Sequence, residues 1–182
     1  RQYLDKNKIQ TYKNTGLVQD VFQYHNLSCE TNMTIGHVRY TTSHSVSSYA
    51  CIQPIADNHP NLGAFSIAHN GHIHNLNKKK ISQGFTYVSD TDFIKEFIKS
   101  CDDKTWEDIL IKVMNKIPGI YSLVMLTSDS IYAMRDRFGM RPLQIGMNSL
   151  GYIISSESCA LTNIDRVLDI DAGQIIKIQN NI

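Results

Sequence analysis

The spacing of apolar residues changes along this chain, and the change separates predicted helices from predicted strands. After Thr105, apolar side chains recur at helical intervals as far as residue 117, and Pro118-Gly119 ends the run. A second helix is predicted to begin at Ser89, because Ser89 and Asp92 have the spacing of a capping box and a helical apolar pattern follows. One apolar stripe on a polar helix is typical of a helix that packs on a core.

Extended segments precede and follow these helices. Short apolar runs predict strands at 35–40 and 65–68, with a long polar loop over 41–63 between them, and a further helix is predicted at 75–83. From residue 120 the pattern is that of strands, with two hairpins and a final strand: 121–126 with 131–134, 143–146 with 152–155, and 174–178. These elements predict an α+β domain in which helices pack outside antiparallel sheets.

The composition fits one domain that spans residues 1–182. Hydrophobic residues make up 42% of the chain and charged residues 19%, which are values of an ordinary globular protein. A net charge of +1 argues against a general nucleic-acid binder, and the one basic run, at 78–80, is interpreted as a solvated helix face. No stretch reaches the apolar length of a membrane span. We therefore expect no nucleic-acid or membrane partner and a cytoplasmic location.

The cysteines argue against a metal site. Cys29, Cys51, Cys101 and Cys159 are widely spaced and form neither a CxxC pair nor a zinc pattern. Free thiols in a reducing cytosol are expected, with no metal and no cofactor in this chain. Cys159 stands among small apolar residues and is predicted to fill core space, whereas Cys51 lies in the long polar loop and is predicted to be exposed.

Three short stretches carry candidate chemistry, and each also has a purely structural interpretation. Arg39, at the end of an apolar run, either forms an internal salt bridge or clamps a carboxylate. Asn70-Gly71 is first of all a turn signal, but an Asn amide beside a Gly N–H can also donate to one oxyanion. Asp90 either caps the helix that follows or holds an ammonium group. Together the three fit an amide of an amino acid, with glutamine as the obvious candidate.

A nucleophile is the missing part of this set. Cys51 with His37, His44 or His69 as base would make an internal Cys–His enzyme, an alternative that spacing alone does not support. Histidines at strand ends are more often structural. The charged stretch at 135–143 is interpreted as a tight loop between strands, in which Asp136 is held by ion pairs with the flanking arginines.

These stretches resemble the glutaminase domain of amidophosphoribosyltransferases over nearly the whole chain. The matches include Gly-His-Val-Arg-Tyr at 36–40 and His-Asn-Gly at 69–71, of which Gly-His-x-Arg and Asn-Gly are shared across class II glutamine amidotransferases. The more specific matches are Arg-Asp at 135–136, Gly139, Arg-Pro-Leu at 141–143 and Ser-Glu-Ser-Cys-Ala-Leu at 156–161. Gly-Leu-Val at 16–18, Gln53-Pro54 and Ser-Asp-Thr-Asp at 89–92 match as well.

The resemblance implies an N-terminal-nucleophile hydrolase fold, a four-layer sandwich with helices outside two antiparallel sheets. By matching motif, Arg39 would bind the glutamine carboxylate, Asp90 its amine, and Asn70 and Gly71 would form the oxyanion hole. The intact enzyme would supply ammonia from glutamine to form 5-phosphoribosylamine in purine synthesis. It would be a homo-oligomer whose phosphoribosyltransferase domain binds phosphoribosyl pyrophosphate with Mg²⁺.

Two departures from the family pattern limit this expectation. The chain opens at Arg1, without the cysteine that begins the mature chain in the family and whose α-amine is the base. It also stops at Ile182, before any phosphoribosyltransferase domain. We therefore expect a fragment, incomplete at its N-terminus and inactive by itself. The alternatives are a catalytically dead module of the same fold that binds glutamine or another subunit, and the glutaminase domain of another class II amidotransferase.

Overall fold

The computed structural model describes residues 9–22, 31–39, 49–74 and 88–179. Its helices are α1 (Val18–Phe22), α2 (Asp90–Ser100) and α3 (Trp106–Lys116), with short 3₁₀ helices at Tyr49–Cys51 and Ser158–Ala160. Its strands are β1 (Ile55–His59), β2 (Gly63–Ile73), β3 (Gly119–Thr127), β4 (Ser130–Arg135), β5 (Gln144–Asn148), β6 (Gly151–Ser155), β7 (Arg166–Asp169) and β8 (Ile175–Gln179). The predicted helix at 75–83, the basic run at 78–80, Cys29 and His44 lie outside the described residues.

A five-stranded antiparallel sheet forms the centre of the domain, in the order β1-β2-β3-β4-β8. β2 is its longest strand and pairs with β3 from Phe65 opposite Thr127 to Ile73 opposite Gly119. This register places the polar second half of β2 beside the start of β3.

The two long helices cover one face of this sheet, as predicted. Ser89 and Thr105 cap them, since each hydroxyl accepts a hydrogen bond at 3.2 Å from the backbone N–H three residues on, of Asp92 and of Asp108. The buried side chains between helices and sheet include Phe93, Ile94, Ile98, Ile109, Leu110 and Val113 from the helices, and Phe65, Ile67, Tyr121, Leu123, Met125, Tyr132 and Met134 from the sheet. This core holds the site-bearing strand in place.

A smaller antiparallel sheet, in the order β6-β5-β7, lies against the other face of the large sheet. A second core joins the two sheets, with Ala133, Leu143, Ile145 and Ile170 buried and Val124, Ile154, Ile176 and Ile178 packed against them. The α+β class is thus confirmed. The described residues form a helix layer and two sheet layers of the expected sandwich.

The predicted loop contains a strand in the structure, and the first predicted strand is absent from the described residues. Within the predicted loop over 41–63, residues 55–59 form the edge strand β1, which its polar composition concealed. It pairs with β2 and buries Ile55 and His59. The predicted strand at 35–40 is wrong where it can be tested: residues 31–39 are neither helix nor strand, and Val38 is 75% exposed. Apolar residues form a strand only where a neighbouring strand pairs with them.

Two further predictions fail for identifiable reasons. Asn70-Gly71 is not a turn but the middle of β2, because the close approach of β3 demands a glycine there. β7 has only four residues, all exposed, so it carries no alternating pattern to detect.

The 135–143 loop is held by backbone contacts rather than by ion pairs. Asp136 is buried, and its carboxylate accepts from the N–H groups of Tyr121 at 3.0 Å and Phe138 at 2.7 Å. Arg135 donates to the carbonyl oxygens of Arg141, Ile170 and Gly139. The charged side chains therefore replace missing backbone partners, which is what a tight loop needs most.

Candidate functional site

One edge of β2 changes its partner halfway along the strand, and the predicted site residues gather there. β1 pairs with β2 only as far as Ile67. At the next position on this edge, the Gln53 carboxamide accepts from the His69 N–H at 2.6 Å and donates to the His69 carbonyl at 3.2 Å. Farther along, the carboxylate of Asp90 accepts from the Ile73 N–H at 2.8 Å. Beyond Ile67, the side chains of Gln53 and Asp90 therefore bind the edge of β2 that β1 binds before it.

Gly71 lies between these two bonded positions, and its N–H is left open. Tyr121 lies opposite Gly71 on β3. Its N–H donates to the Asp136 carboxylate and its carbonyl accepts from the Asp136 N–H, both on the side away from β2. Because ladder groups alternate sides, the Gly71 N–H points to the same edge as those of His69 and Ile73. No side chain among the residues that the structure describes binds it. An unpaired donor at a binding edge is available to an oxyanion.

Only glycine fits at position 71. Its φ is +155°, and a Cβ added there would lie 2.1 Å from the carbonyl oxygen of Ile120 and 2.6 Å from the Cα of Tyr121. Asn70 precedes it, half-buried and opposite Ser122. The structure thus places the two predicted oxyanion donors side by side within a strand.

Asp90 stands at the first position of α2, where the helix dipole favours an anion. Besides the Ile73 N–H, its Oδ2 lies 3.2 Å from Nδ1 of His72, whose side chain is 70% exposed. The cap itself is Ser89, so the structural interpretation of Asp90 as the capping residue is wrong. A carboxylate that is not needed as a cap is free to pair with a cation.

Arg39 is connected to the same region through Cys51. Its Nη1 donates to the Cys51 carbonyl at 3.2 Å, and the Cys51 thiol lies 3.8 Å from the carbonyl oxygen of Val88, two residues before Asp90. Arg39 has no ion pair among the described residues, so the internal salt bridge is not seen there. The guanidinium is exposed and can meet a carboxylate from solution.

His69 is buried beneath this edge and is kept neutral. Burial lowers the pKa of His69 to about 4, against the opposing effect of the Asp90 charge. Its Nδ1 lies 3.4 Å from the Thr91 hydroxyl, and its Nε2 is buried without a partner in the described part of the chain. Burial likewise lowers the pKa of His37. Neither ring contacts a cysteine thiol among the described residues.

The cysteines do not take the predicted positions. Cys51 is only 4% exposed, not an exposed loop thiol, because the 3₁₀ turn that contains it packs on the chain before α2. Its thiol contacts a carbonyl and not a histidine among the described residues, which removes support for the internal Cys–His enzyme. Cys159 is exposed rather than in the core, because the 3₁₀ helix that carries it has no buried residue.

Sequence reasoning missed the role of Gln53. The sequence marks Gln53-Pro54 only as a shared motif, yet the Gln53 side chain binds the backbone of His69. The signal lies in the register: Ile55 pairs with Ile67, so residue 53 falls opposite residue 69. Only a known register makes that visible. A separate cavity of about 260 Å³ lies near α3 and the 136–138 loop, and none of the site residues lines it.

Comparison with known proteins shows the family of the chain. The family model of a glutamine amidotransferase domain matches residues 37–163. The chain belongs to the glutamine amidotransferase domain family. The match covers Arg39, Asn70, Gly71 and Asp90.

Two relatives of this amidotransferase domain are amidophosphoribosyltransferases. The chain is 36% identical to an amidophosphoribosyltransferase of Methanocaldococcus jannaschii, over 97% of this chain and 39% of that protein. It is 30% identical to the Bacillus subtilis amidophosphoribosyltransferase, over 97% of this chain and 38% of that protein. The amidotransferase domain is therefore homologous to amidophosphoribosyltransferases, and it spans about two fifths of their length.

Solved structures confirm the N-terminal-nucleophile hydrolase fold. The B. subtilis glutamine phosphoribosylpyrophosphate amidotransferase, complexed with ADP and GMP, superposes with a TM-score of 0.79 at 29% identity, covering 97% of this chain and 39% of that chain. A structure described as the allosteric regulatory enzyme of purine biosynthesis gives a TM-score of 0.76 at 29% identity, covering 91% of this chain and 37% of that one. Among the described residues, no helix is long and apolar enough to cross a membrane.

Proposed function

We propose that this amidotransferase domain is the glutaminase part of an amidophosphoribosyltransferase, which takes ammonia from glutamine to form 5-phosphoribosylamine for purine synthesis. The observation that carries the proposal is the open N–H of Gly71 on the edge between His69 and Ile73. An edge amide that no described strand or side chain pairs, next to an Asn amide, is suited to an amide carbonyl that becomes an oxyanion.

The recognition roles follow from charge. The Arg39 guanidinium binds the α-carboxylate of glutamine through paired N–H donors. Asp90 binds the α-ammonium, which displaces the exposed ring of His72 from the carboxylate. The side-chain amide then extends toward Asn70 and Gly71, whose donors bind its oxygen more strongly once it carries negative charge.

The chemistry needs a thiolate that attacks the amide carbon. The C–N bond breaks as the nitrogen takes up a proton and leaves as ammonia, and water then hydrolyses the γ-glutamyl thioester to glutamate and free thiol. We propose that this thiol is a cysteine at the start of the mature chain, with its α-amine as base, outside the 182 residues. The burial of Cys51, whose thiol lies against the Val88 carbonyl, supports a nucleophile other than Cys51.

The remaining functions belong to the rest of the enzyme. We propose that phosphoribosyl pyrophosphate binds with Mg²⁺ to a phosphoribosyltransferase domain of the same protein, in a cytoplasmic homo-oligomer. In the part of the chain that the structure describes, no group of three or more His, Cys, Asp or Glu side chains could hold a metal ion.

Ammonia release by the full chain, as its gene encodes it, tests the proposal. Arg39→Lys keeps the charge but loses the fork, and we expect the KM for glutamine to rise about 10- to 100-fold with a smaller change in kcat. Arg137→Lys, at an exposed arginine of the 136–138 loop, is the matched control and should leave KM unchanged.

A second candidate, a glutamine-binding module without catalysis, is favoured only by the burial of Cys51. Titration calorimetry separates the two. Glutamine binding by a full chain that releases no ammonia would replace the glutaminase by the module. Absence of both binding and ammonia release would refute the two together.

A further inference from the structure

Gln53 occupies the place of a strand residue without being in a strand. β1 and β2 pair Ile55 with Ile67, and continuing this register puts Gln53 opposite His69. The paired residues of β1 end at Ile55, so the outward N–H and C=O of His69 would be left without backbone partners.

The Gln53 side chain replaces those partners one for one. A carboxamide has one carbonyl acceptor and an NH₂ donor, which is the hydrogen-bonding pattern of a peptide group. Its Oε1 accepts from the His69 N–H at 2.6 Å, and its Nε2 donates to the His69 carbonyl at 3.2 Å. Gln53 is only 8% exposed, so water does not easily replace these bonds.

The residues that follow His69 give this contact its consequence. Asn70 and Gly71 come next along the same strand, and no described strand pairs with this edge of β2 beyond Ile67. Among the described residues, the side chains of Gln53 and Asp90 hold the edge, one on each side of Gly71. If Asp90 turns to bind an ammonium group, Gln53 becomes the remaining restraint on the N–H of Gly71.

We propose that Gln53 is a positioning residue for glutamine hydrolysis, which holds the backbone of His69 so that the donors of Asn70 and Gly71 are aimed at the oxyanion. This inference rests on the proposed glutaminase function. The inference assigns Gln53 to transition-state stabilisation and not to substrate binding. Arg39, the proposed ligand of the glutamine carboxylate, contacts the backbone carbonyl of Cys51 and not the Gln53 side chain.

The expected kinetic signature is a fall in kcat with little change in KM. Gln53→Leu removes both hydrogen bonds at similar volume, and a displacement of about 1 Å at the donors costs about 10²-fold in kcat. Gln53→Glu is equally poor at about pH 7.5, because a carboxylate cannot donate to the His69 carbonyl. Burial raises the pKa of such a carboxyl, and its acid form regains one donor and one acceptor. Its kcat relative to wild type should therefore rise as pH falls to about 5.5, while that of Gln53→Leu stays flat.

Thr127→Val is the matched control for a loss that is merely structural. Thr127 is buried at the far end of β3, and its hydroxyl binds the backbone N–H and carbonyl of Ser130, both at 3.1 Å. It should lower stability in urea to a similar degree and leave kcat unchanged. Amide hydrogen exchange over residues 69–71 should accelerate in Gln53→Leu and not in Thr127→Val.

The experiment uses the full chain, with ammonia release measured at saturating and limiting glutamine. A wild-type enzyme without glutaminase activity would overturn the proposed function and this inference with it. An active wild type whose Gln53→Leu variant keeps kcat, or loses no more than Thr127→Val, would overturn the inference alone. A tenfold or larger rise in KM at constant kcat would also overturn it, since Gln53 would then serve binding.

Discussion

The two halves of β2 share one neighbour and differ in the other. Residues 63–67 pair with β1 on one side, and from residue 65 they also pair with β3 on the other, with Phe65 and Ile67 buried in the core. Residues 69–73 keep β3 but are bound on the other edge by side chains, Gln53 and Asp90, with Gly71 open between them. An edge without a strand exposes polar backbone groups. Under the proposed function this exposure forms a binding edge, and the first half supports it.

The largest difference between the two halves should be the loss of unfolding free energy when a glycine in each is replaced by alanine. Gly71→Ala places a Cβ 2.1 Å from the carbonyl oxygen of Ile120 at a φ of +155°. Gly63→Ala at the start of the same strand keeps only the cost of its φ of +87°, since nothing lies within 4 Å. We expect losses of unfolding free energy on the order of 4 kcal/mol at Gly71 and about 1 kcal/mol at Gly63.

Urea denaturation of both variants measures this difference. Equal losses at the two positions would mean that β3 yields easily to a side chain at Gly71. The second half of the strand would then be no more constrained than the first.

The buried histidine of the second half should make stability depend on pH. The pKa of His69 is lowered to about 4 in the fold, mainly by burial, from the ordinary value of 6.5. Between these two values the unfolded chain binds a proton that the folded chain does not, so stability falls as pH falls from 6.5 toward 4. The loss between about pH 7 and about pH 5 should be about 2 kcal/mol from this residue.

The variant His69→Gln removes this titration and should flatten the pH profile of the unfolding free energy. His74→Gln, at an exposed histidine just beyond β2, is the control that should leave the profile unchanged. Since the pKa of His37 is lowered as well, a residual slope of the same sign is expected in His69→Gln. A full slope in that variant would contradict the assignment to His69.

The helices and hairpins that support β2 are easier to predict from the sequence than the strands and side chains at its edge. Both capped helices and the hairpins after residue 120 follow from apolar spacing and turn residues, because local periodicity reports burial on one face. β1 and β7 escaped detection because an edge strand such as Ile55–His59 can be polar and still pair.

The candidate site residues can be selected by their chemistry, but their hydrogen bonds cannot be predicted in this way. Arg39, Asn70, Gly71 and Asp90 were selected as charges and donors that suit an amino-acid amide. Gln53 was missed because its meaning depends on a register that joins residues 16 apart in sequence. Asn-Gly predicts a turn, but the absence of a Cβ that allows glycine in a turn also allows two strands to approach closely.

Two aspartates on the two edges offer the finest test of the comparison. Asp57, on β1 beside the first half, contacts the ammonium groups of Lys99 at 2.9 Å and Lys95 at 3.7 Å. Asp90 beside the second half contacts Ile73 and His72. Asp57→Asn and Asp90→Asn remove the same charge without changing shape, and both groups are partly exposed. Each should therefore lower the unfolding free energy by less than about 1 kcal/mol.

Only Asp90→Asn should raise the KM for glutamine, by about 10- to 100-fold, because an ammonium group loses its counter-charge there. Ammonia release by the full chain, measured over a range of glutamine concentrations, gives both KM values. If Asp57→Asn raised KM as much as Asp90→Asn, the effect would come from the loss of negative charge in general, and the second half of β2 would not be a distinct binding edge. If neither changed KM, Asp90 would be structural, like Asp57, and the ammonium group would need another partner.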